Sequence, residues 1–219
     1  MMSLLDTFGR ILGTLASGAL TAAQVAAGAF VIALTAGLVL AMWQTFTRSR
    51  LVHVLIASYI EWMRNVPALA HLFLLYFGLA SAGIRFSPKL AAIIGLGLVG
   101  AAILCDIFAA GLKSLHVGQR EAALSVGLTP TQSIRFVLLP QVLRSTLPSL
   151  GNYVSQLIKD TSIASAIAAP EIMFYARNLV TSTFETTLIY LAAMLLYAAM
   201  VLPISWVFAR VELSMEKSR

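Results

Sequence analysis

The chain has 219 residues, 59% of them hydrophobic and 11% charged, with a mean hydropathy of +0.89 and a formal net charge of +6. Apolar runs of bilayer-crossing length exclude an ordinary soluble domain. The basic residues are scattered over the polar breaks between those runs, which fits membrane topology and excludes a nucleic-acid-binding stripe, and the single cysteine, Cys105, excludes an internal disulfide framework.

The expected class is an all-α polytopic membrane protein with five transmembrane helices. Residues 1–16 are expected to form an interfacial N-terminal helix, because Leu4, Leu5, Phe8, Ile11, Leu12 and Leu15 recur at helical spacing with Asp6 and Arg10 opposite. No clear cleavage site follows, which argues against a signal peptide. Residues 17–209 read as the membrane domain. Span one is 17–43, where Gly28 and Gly37 permit close helix packing, and Arg48, Arg50 and His53 then form a basic loop.

The stretch 51–79 is apolar but broken by Glu61, Arg64, Asn65 and Pro67. Residues 51–63 are expected to be an interfacial approach or lower half-helix, and 67–79 the main part of span two, with a kink at Val66-Pro67. Span three is 90–112, with Asp106 toward its end. A polar loop, 113–141, separates it from span four, which lies within 144–169. That span is expected to be interrupted early by Pro148 and Gly151, and it carries Lys159, Asp160, Thr161 and Ser162. Residues 170–187 read as a polar connection, 188–209 as span five, and 210–219 as a charged tail.

The loop between spans three and four is the polar island of the chain. Ala122 and Ala123 favour a short helix, and Gly127 stands where a left-handed helix-ending residue is wanted. Thr129, Pro130 and Gln132 spell a capping box that opens a second helix, with Ile134, Val137 and Leu138 on one face, Arg135 turned away, and Pro140 as its end.

Glu121-Ala122-Ala123, Gly127 and Leu139-Pro140 together resemble the EAA loop of the permeases of ATP-binding-cassette (ABC) importers. The resemblance implies that 121–140 is a cytoplasmic coupling helix that docks on an ATPase subunit through Glu121, Ala122, Ala123, Gly127 and Pro140. Three further stretches resemble the polar amino acid branch of that family. Residues 59–79 match its Arg-Gly-Thr-Pro and Tyr-Phe-Gly-Leu segments at Arg64, Pro67, Tyr76, Phe77 and Gly78, with Asn65 and Val66 replacing glycine and threonine. Asp106, Ala109 and Ala110 stand where the family often has glutamate, arginine and glycine, which puts in doubt any substrate contact through that arginine. Residues 157–165, LIKDTSIAS, match closely.

With the EAA-like loop cytoplasmic, that side holds Arg48, Arg50, Lys113, Arg120, Arg135, Arg144, Arg210, Lys217 and Arg219, against Arg10, Arg85, Lys89 and Arg177 outside. The positive-inside rule therefore agrees with the motif, and five spans put the N-terminus outside and the C-terminus in the cytoplasm. The expected location is the inner membrane, in contact with lipid.

The substrate pathway is expected to involve Arg64, Asn65, Lys159, Asp160, Thr161 and Ser162. Ionised groups at membrane depth are expensive and face a cavity or a partner, and an amino acid needs one acceptor and one donor set. Two readings stand open for Lys159 and Asp160: lining the pathway, or satisfying charges on neighbouring helices. Arg64 likewise either aids a kinked, substrate-facing half-helix or pairs with Glu61 or headgroups. His53, His71 and His116 have no metal-ligand spacing, and His71 reads as a hydrogen-bonded packing residue.

No glycine-rich phosphate loop occurs, so the resemblance places ATP and magnesium on a separate ATPase, with no cofactor and no enzymatic activity on this chain. It also implies a second permease, identical or homologous, and an extracytoplasmic binding protein. A permease for methionine, metals or osmolytes and a self-sufficient secondary transporter are the alternatives; the latter wants two matching broken-helix halves, and no internal duplication is present.

Overall fold

A computed structural model describes residues 4–216, and all of its regular structure is helical. Residues 1–3 of the expected interfacial helix, and 217–219 of the expected tail with Lys217 and Arg219, lie outside the described residues.

Helix α1 runs unbroken over Leu4–Phe46. Its 43 residues at 1.5 Å each make about 65 Å, roughly twice the hydrocarbon thickness of a bilayer. The N-terminal segment is therefore not a separate interfacial element but the first turns of α1. The sequence 16–29 is rich in alanine and holds no proline, so nothing stops the helix at the expected boundary. Ile11 and Leu15 do not lie on a lipid surface; they are buried against Ile172, Ala176, Ile189 and Ala192.

Helix α2 spans Arg50–Asn65 and α3 spans Ala68–Ser81. The expected kink is a 102° elbow. Val66, held extended (φ −95°, ψ 133°) by the proline after it, ends α2 there. Within α3 the segment Leu74–Gly78 widens to a π-helical turn.

Helix α4, Pro88–Ser114, starts on Ser87, whose hydroxyl accepts from the Leu90 N–H, with Pro88 at the first turn. It is the central helix: 56% of its apolar stretch is buried, against 33% for α1 and 17% for α8, described below. Its inner face is built of small residues, so neighbouring backbones come close. A Cβ on Gly37 of α1 would lie 2.8 Å from the Leu104 Cβ and 3.0 Å from the Ala101 carbonyl oxygen.

Helix α5 covers Val117–Ser125. A capping turn, Pro130–Gln132, leads through a π-helical segment, Ser133–Leu138, directly into α6, Leu139–Asp160. Pro140 thus does not end its helix, and Pro148 and Gly151 do not interrupt span four. A proline in a regular α-helix loses one hydrogen bond and crowds the carbonyl four residues back. Here the wide turn just before it, in which the Leu139 N–H donates to the Ile134 carbonyl, gives Pro140 an entry at the start of a new α-helical run.

Beyond α6 come a 3₁₀ segment, Thr161–Ile167, then α7, Ile172–Thr183, and α8, Thr186–Glu216. The polar connection expected over 170–187 is mostly helix. Ile172, Tyr175, Ala176 and Leu179 share one side, and Ile172 and Ala176 are buried in the cluster that receives Ile11 and Leu15. Helix α8 continues past residue 209 into the expected tail, carrying Arg210 stacked 4.9 Å from the Trp206 ring.

Among the described residues three helices, α1, α4 and α8, are long and apolar enough to cross a membrane, and a fourth crossing arises if the bent pair α2–α3 counts as one span. Helix α6 carries too many polar groups to qualify by composition. Its 22 residues nevertheless reach about 33 Å, and its buried residues include Leu150, Tyr153, Leu157 and Ile158.

Gly37→Val places branched carbons against backbone that cannot rotate away. It should cost about 1–3 kcal/mol of packing and lower the thermal midpoint of the detergent-solubilised protein. Gly13→Val, at a position with nothing within 4 Å, should leave the midpoint near wild type.

Candidate functional site

The corner between α4 and α6 is built as a rigid double helix-end. Helix α5 starts on His116, whose Nδ1 accepts from the Gly118 N–H. At its other end the Leu128 N–H donates to the Ala123 carbonyl at 3.2 Å and the Gly127 N–H to the Leu124 carbonyl at 3.0 Å. Those two bonds make a Schellman end, and they require the left-handed backbone that Gly127 adopts at φ +87°. Two residues on, the Thr129 hydroxyl accepts from the Gln132 N–H while the Gln132 side chain accepts from the Thr129 N–H, completing the expected capping box.

The two arms of the corner are fastened together. Ser133, Leu138 and Val142 are buried on the second arm and Ala123 on the first. Gln141 Nε2 donates to Gln119 Oε1 at 3.4 Å and to the Val137 carbonyl at 2.9 Å. Arg120 lies over the Phe46 ring at 5.6 Å, tying α5 to the end of α1. Glu121, Ala122, Gly127 and Pro140 are exposed, and Arg135 points outward as expected. The corner also exposes Leu124, Val126 and Phe136, with Val126 78% accessible. An apolar cluster on an otherwise polar loop is the composition of a contact surface. Phe136 was legible as an apolar residue off the helix's inner face, yet the periodicity alone did not single it out.

The polar residues of the bundle fall into two separate groups. In the first, Arg64 Nη1 donates to Asp106 Oδ2, joining the end of α2 to α4. Asn65 Nδ2 donates to the Glu61 carbonyl at 2.8 Å and to Glu61 Oε2 at 2.7 Å, so Glu61 is engaged by Asn65 and not by Arg64. Arg64, Asn65 and Asp106 help wall a cavity of about 710 Å³ at the α2–α3 elbow. Asp106 was visible in the sequence as an acid inside span three. Its link to Arg64 became apparent only when the elbow brought the end of α2 against α4.

In the second group, Asp160 Oδ1 accepts from Gln156 Nε2 at 2.8 Å, one helical turn earlier. Lys159 is exposed, and among the described residues neither Lys159 nor Asp160 makes an ion pair. Thr161 is buried with its hydroxyl donating to the Ile158 carbonyl at 2.7 Å, and the Ser162 carbonyl accepts from Ser165 Oγ at 2.8 Å.

Contacts between α4 and α6 fix the distance between the groups. Gly100 faces the Tyr153 hydroxyl and Gly111 faces Thr146, so the helices are antiparallel. Asp160 lies fourteen residues beyond Thr146, away from the corner, and Asp106 five before Gly111, on the same side. At 1.5 Å per residue they stand about 14 Å apart along the bundle.

A third polar feature was missed. Glu171 is fully buried, accepting from the Phe174 N–H at 2.8 Å and from the Tyr197 hydroxyl, so it caps α7 and holds α8 to it. Only its place one residue before an apolar periodic run marked it as a helix start. His71 is buried as a packing residue, but neither ring nitrogen finds a partner among the described residues.

The chain is similar to known transport proteins along most of its length. It is 41% identical over 141 residues to the probable amino-acid ABC transporter permease protein YckA of Bacillus subtilis, a match spanning 64% of this chain and 62% of that protein. It is 40% identical over 180 residues to the probable amino-acid permease protein YxeN of the same organism, spanning 78% of each. Its fold superposes with a TM-score of 0.86 on a chain of the crystal structure of an amino acid ABC transporter with histidines, at 26% identity, covering 97% of this chain and 99% of that one. Residues 33–217 match the family described as binding-protein-dependent transport system inner membrane component, and the chain belongs to that family.

Proposed function

We propose that this chain is the membrane-spanning permease subunit of an ABC importer for polar amino acids or related zwitterions. The observation that carries the reading is the corner: an EAA-type sequence folded into a stiff, doubly capped knob that exposes Leu124, Val126 and Phe136. The amino-acid permeases it resembles support the cargo.

In this reading the bundle crosses the inner membrane five times, counting α2–α3 and α6 as spans, with its N-terminus outside and its C-terminus in the cytoplasm. The corner is cytosolic and seats on a partner ATPase that carries ATP and magnesium. A second permease completes the pathway, and an extracytoplasmic binding protein delivers the solute. Helix α6 is unbroken from Leu139 to Asp160, so displacement of the corner by the ATPase moves the polar group at Asp160 as one rod. Asp160, Lys159, Thr161 and Ser162 line the path on the outer side of the bundle, and Arg64 and Asn65 on the inner.

Gly127→Val tests the docking. The position has open space around it but requires a backbone that costs a β-branched residue about 1–2 kcal/mol or more, so the knob changes shape without any clash in the bundle. The variant should still insert in the membrane while copurification of the ATPase and ATP-driven uptake fall at least about tenfold, equivalent to 1.4 kcal/mol. Normal uptake would remove the docking role.

Asp160→Asn keeps the shape and the Gln156 contact but removes the charge. Uptake by reconstituted complex should fall, with a raised half-saturation concentration. Unchanged uptake and affinity would take Asp160 out of the pathway.

A further inference from the structure

The cavity at the α2–α3 elbow is a second polar station, offset from Asp160 toward the corner. Its charged groups are not sealed in the core: Arg64 and Asp106 keep 53% and 41% of their side chains accessible while pairing across the opening. Its other walls include Val66, Val99, Ile103 and Ile107, so the pair sits against apolar side chains that strengthen contacts to charge. Asn65 is fixed by its two bonds to Glu61, which leave its Oδ1 as an uncommitted acceptor. The volume, about 710 Å³, falls within the roughly 300–1,000 Å³ of small-molecule sites.

A guanidinium matches a carboxylate, and a carboxylate with a neighbouring amide oxygen matches an ammonium. The two sides of the Arg64–Asp106 pair are therefore the complement of the two ends of a zwitterion. An ion pair this accessible contributes little to stability, so packing alone gives scant reason to keep two charges here.

We propose that Arg64, Asn65 and Asp106 form a holding site for zwitterionic amino acids on the corner side of the bundle, about 14 Å inward of Asp160. The Arg64–Asp106 ion pair bridges the site. An arriving amino acid opens it, its carboxylate taking Arg64 and its ammonium taking Asp106. This rests on the permease reading above, and it adds a second stop on the path.

The test uses the permease purified with its ATPase and second permease, reconstituted in proteoliposomes with the binding protein, and a ¹⁴C-labelled mixture of the twenty common L-amino acids. Two variants are compared with wild type: the apolar double replacement Arg64→Met with Asp106→Leu, and the isosteric Asp106→Asn. Both should copurify with the ATPase and keep basal ATP hydrolysis within twofold, while maximal uptake falls at least tenfold. Uptake within twofold of wild type in either assembled variant overturns the site. Loss of assembly in both, the isosteric one included, assigns the pair to structure and overturns it as well. A wild-type complex that imports none of the mixture overturns the amino-acid reading itself, and the site with it.

Discussion

The close approach of α1 to α4 is the contact on which the rest of the subunit depends. Lipid offers no hydrophobic drive to bring helices together, so association rests on van der Waals contact between surfaces that fit. Gly37 against Leu104 and Ala101, and Gly97 against Ile32, let each helix seat a side chain of the other directly on its bare backbone. That contact fixes α4 as the centre of the bundle. The elbow pair and the corner are then placed by α4: Asp106 near one end of it, the Gly100–Tyr153 crossing that sets the register of α6, and the corner that follows Ser114.

A second constraint is continuity between the corner and the bundle interior. Two prolines lie in α6, yet the helix passes through both, because the π-helical segment Ser133–Leu138 precedes Pro140 and the bundle encloses the rest. A backbone with all its hydrogen bonds satisfied internally is the condition for crossing lipid, and wide turns are among the adjustments that keep it so near prolines. The result is a rod with the knob at one end and Asp160 at the other. Across the bundle, Glu171 does the complementary work by binding α7 to α8 through Tyr197, so that the end opposite the corner does not splay.

Local chemistry was legible in the sequence where a few adjacent residues decide it. Gly127 as a left-handed helix end and Thr129–Gln132 as a capping box depend on backbone groups within five residues, and both are present. The elbow at Val66-Pro67 was legible as a break but not as a 102° turn, since the angle is set by what α2 packs on. Boundaries placed by polarity alone missed. Asp6 and Arg10 look interfacial, yet α1 runs straight through them, and the polar letters of 170–187 hide the apolar side of α7. Pairings across the bundle, Arg64 with Asp106 and Glu171 with Tyr197, join residues 42 and 26 positions apart, and no local pattern specifies such partners.

The central claim is that the knob between α4 and α6 is a cytosolic contact surface for a separate motor. Val126 stands at its tip, and the native cysteine, Cys105, is buried in the bundle, so Val126→Cys gives a single exposed thiol there. A bifunctional thiol–amine cross-linker in intact membranes should join this thiol to the copurifying ATPase. A membrane-impermeant maleimide should label it only in inside-out vesicles. Labelling of the same thiol from the outside, with no cross-link to an ATPase, would contradict the account.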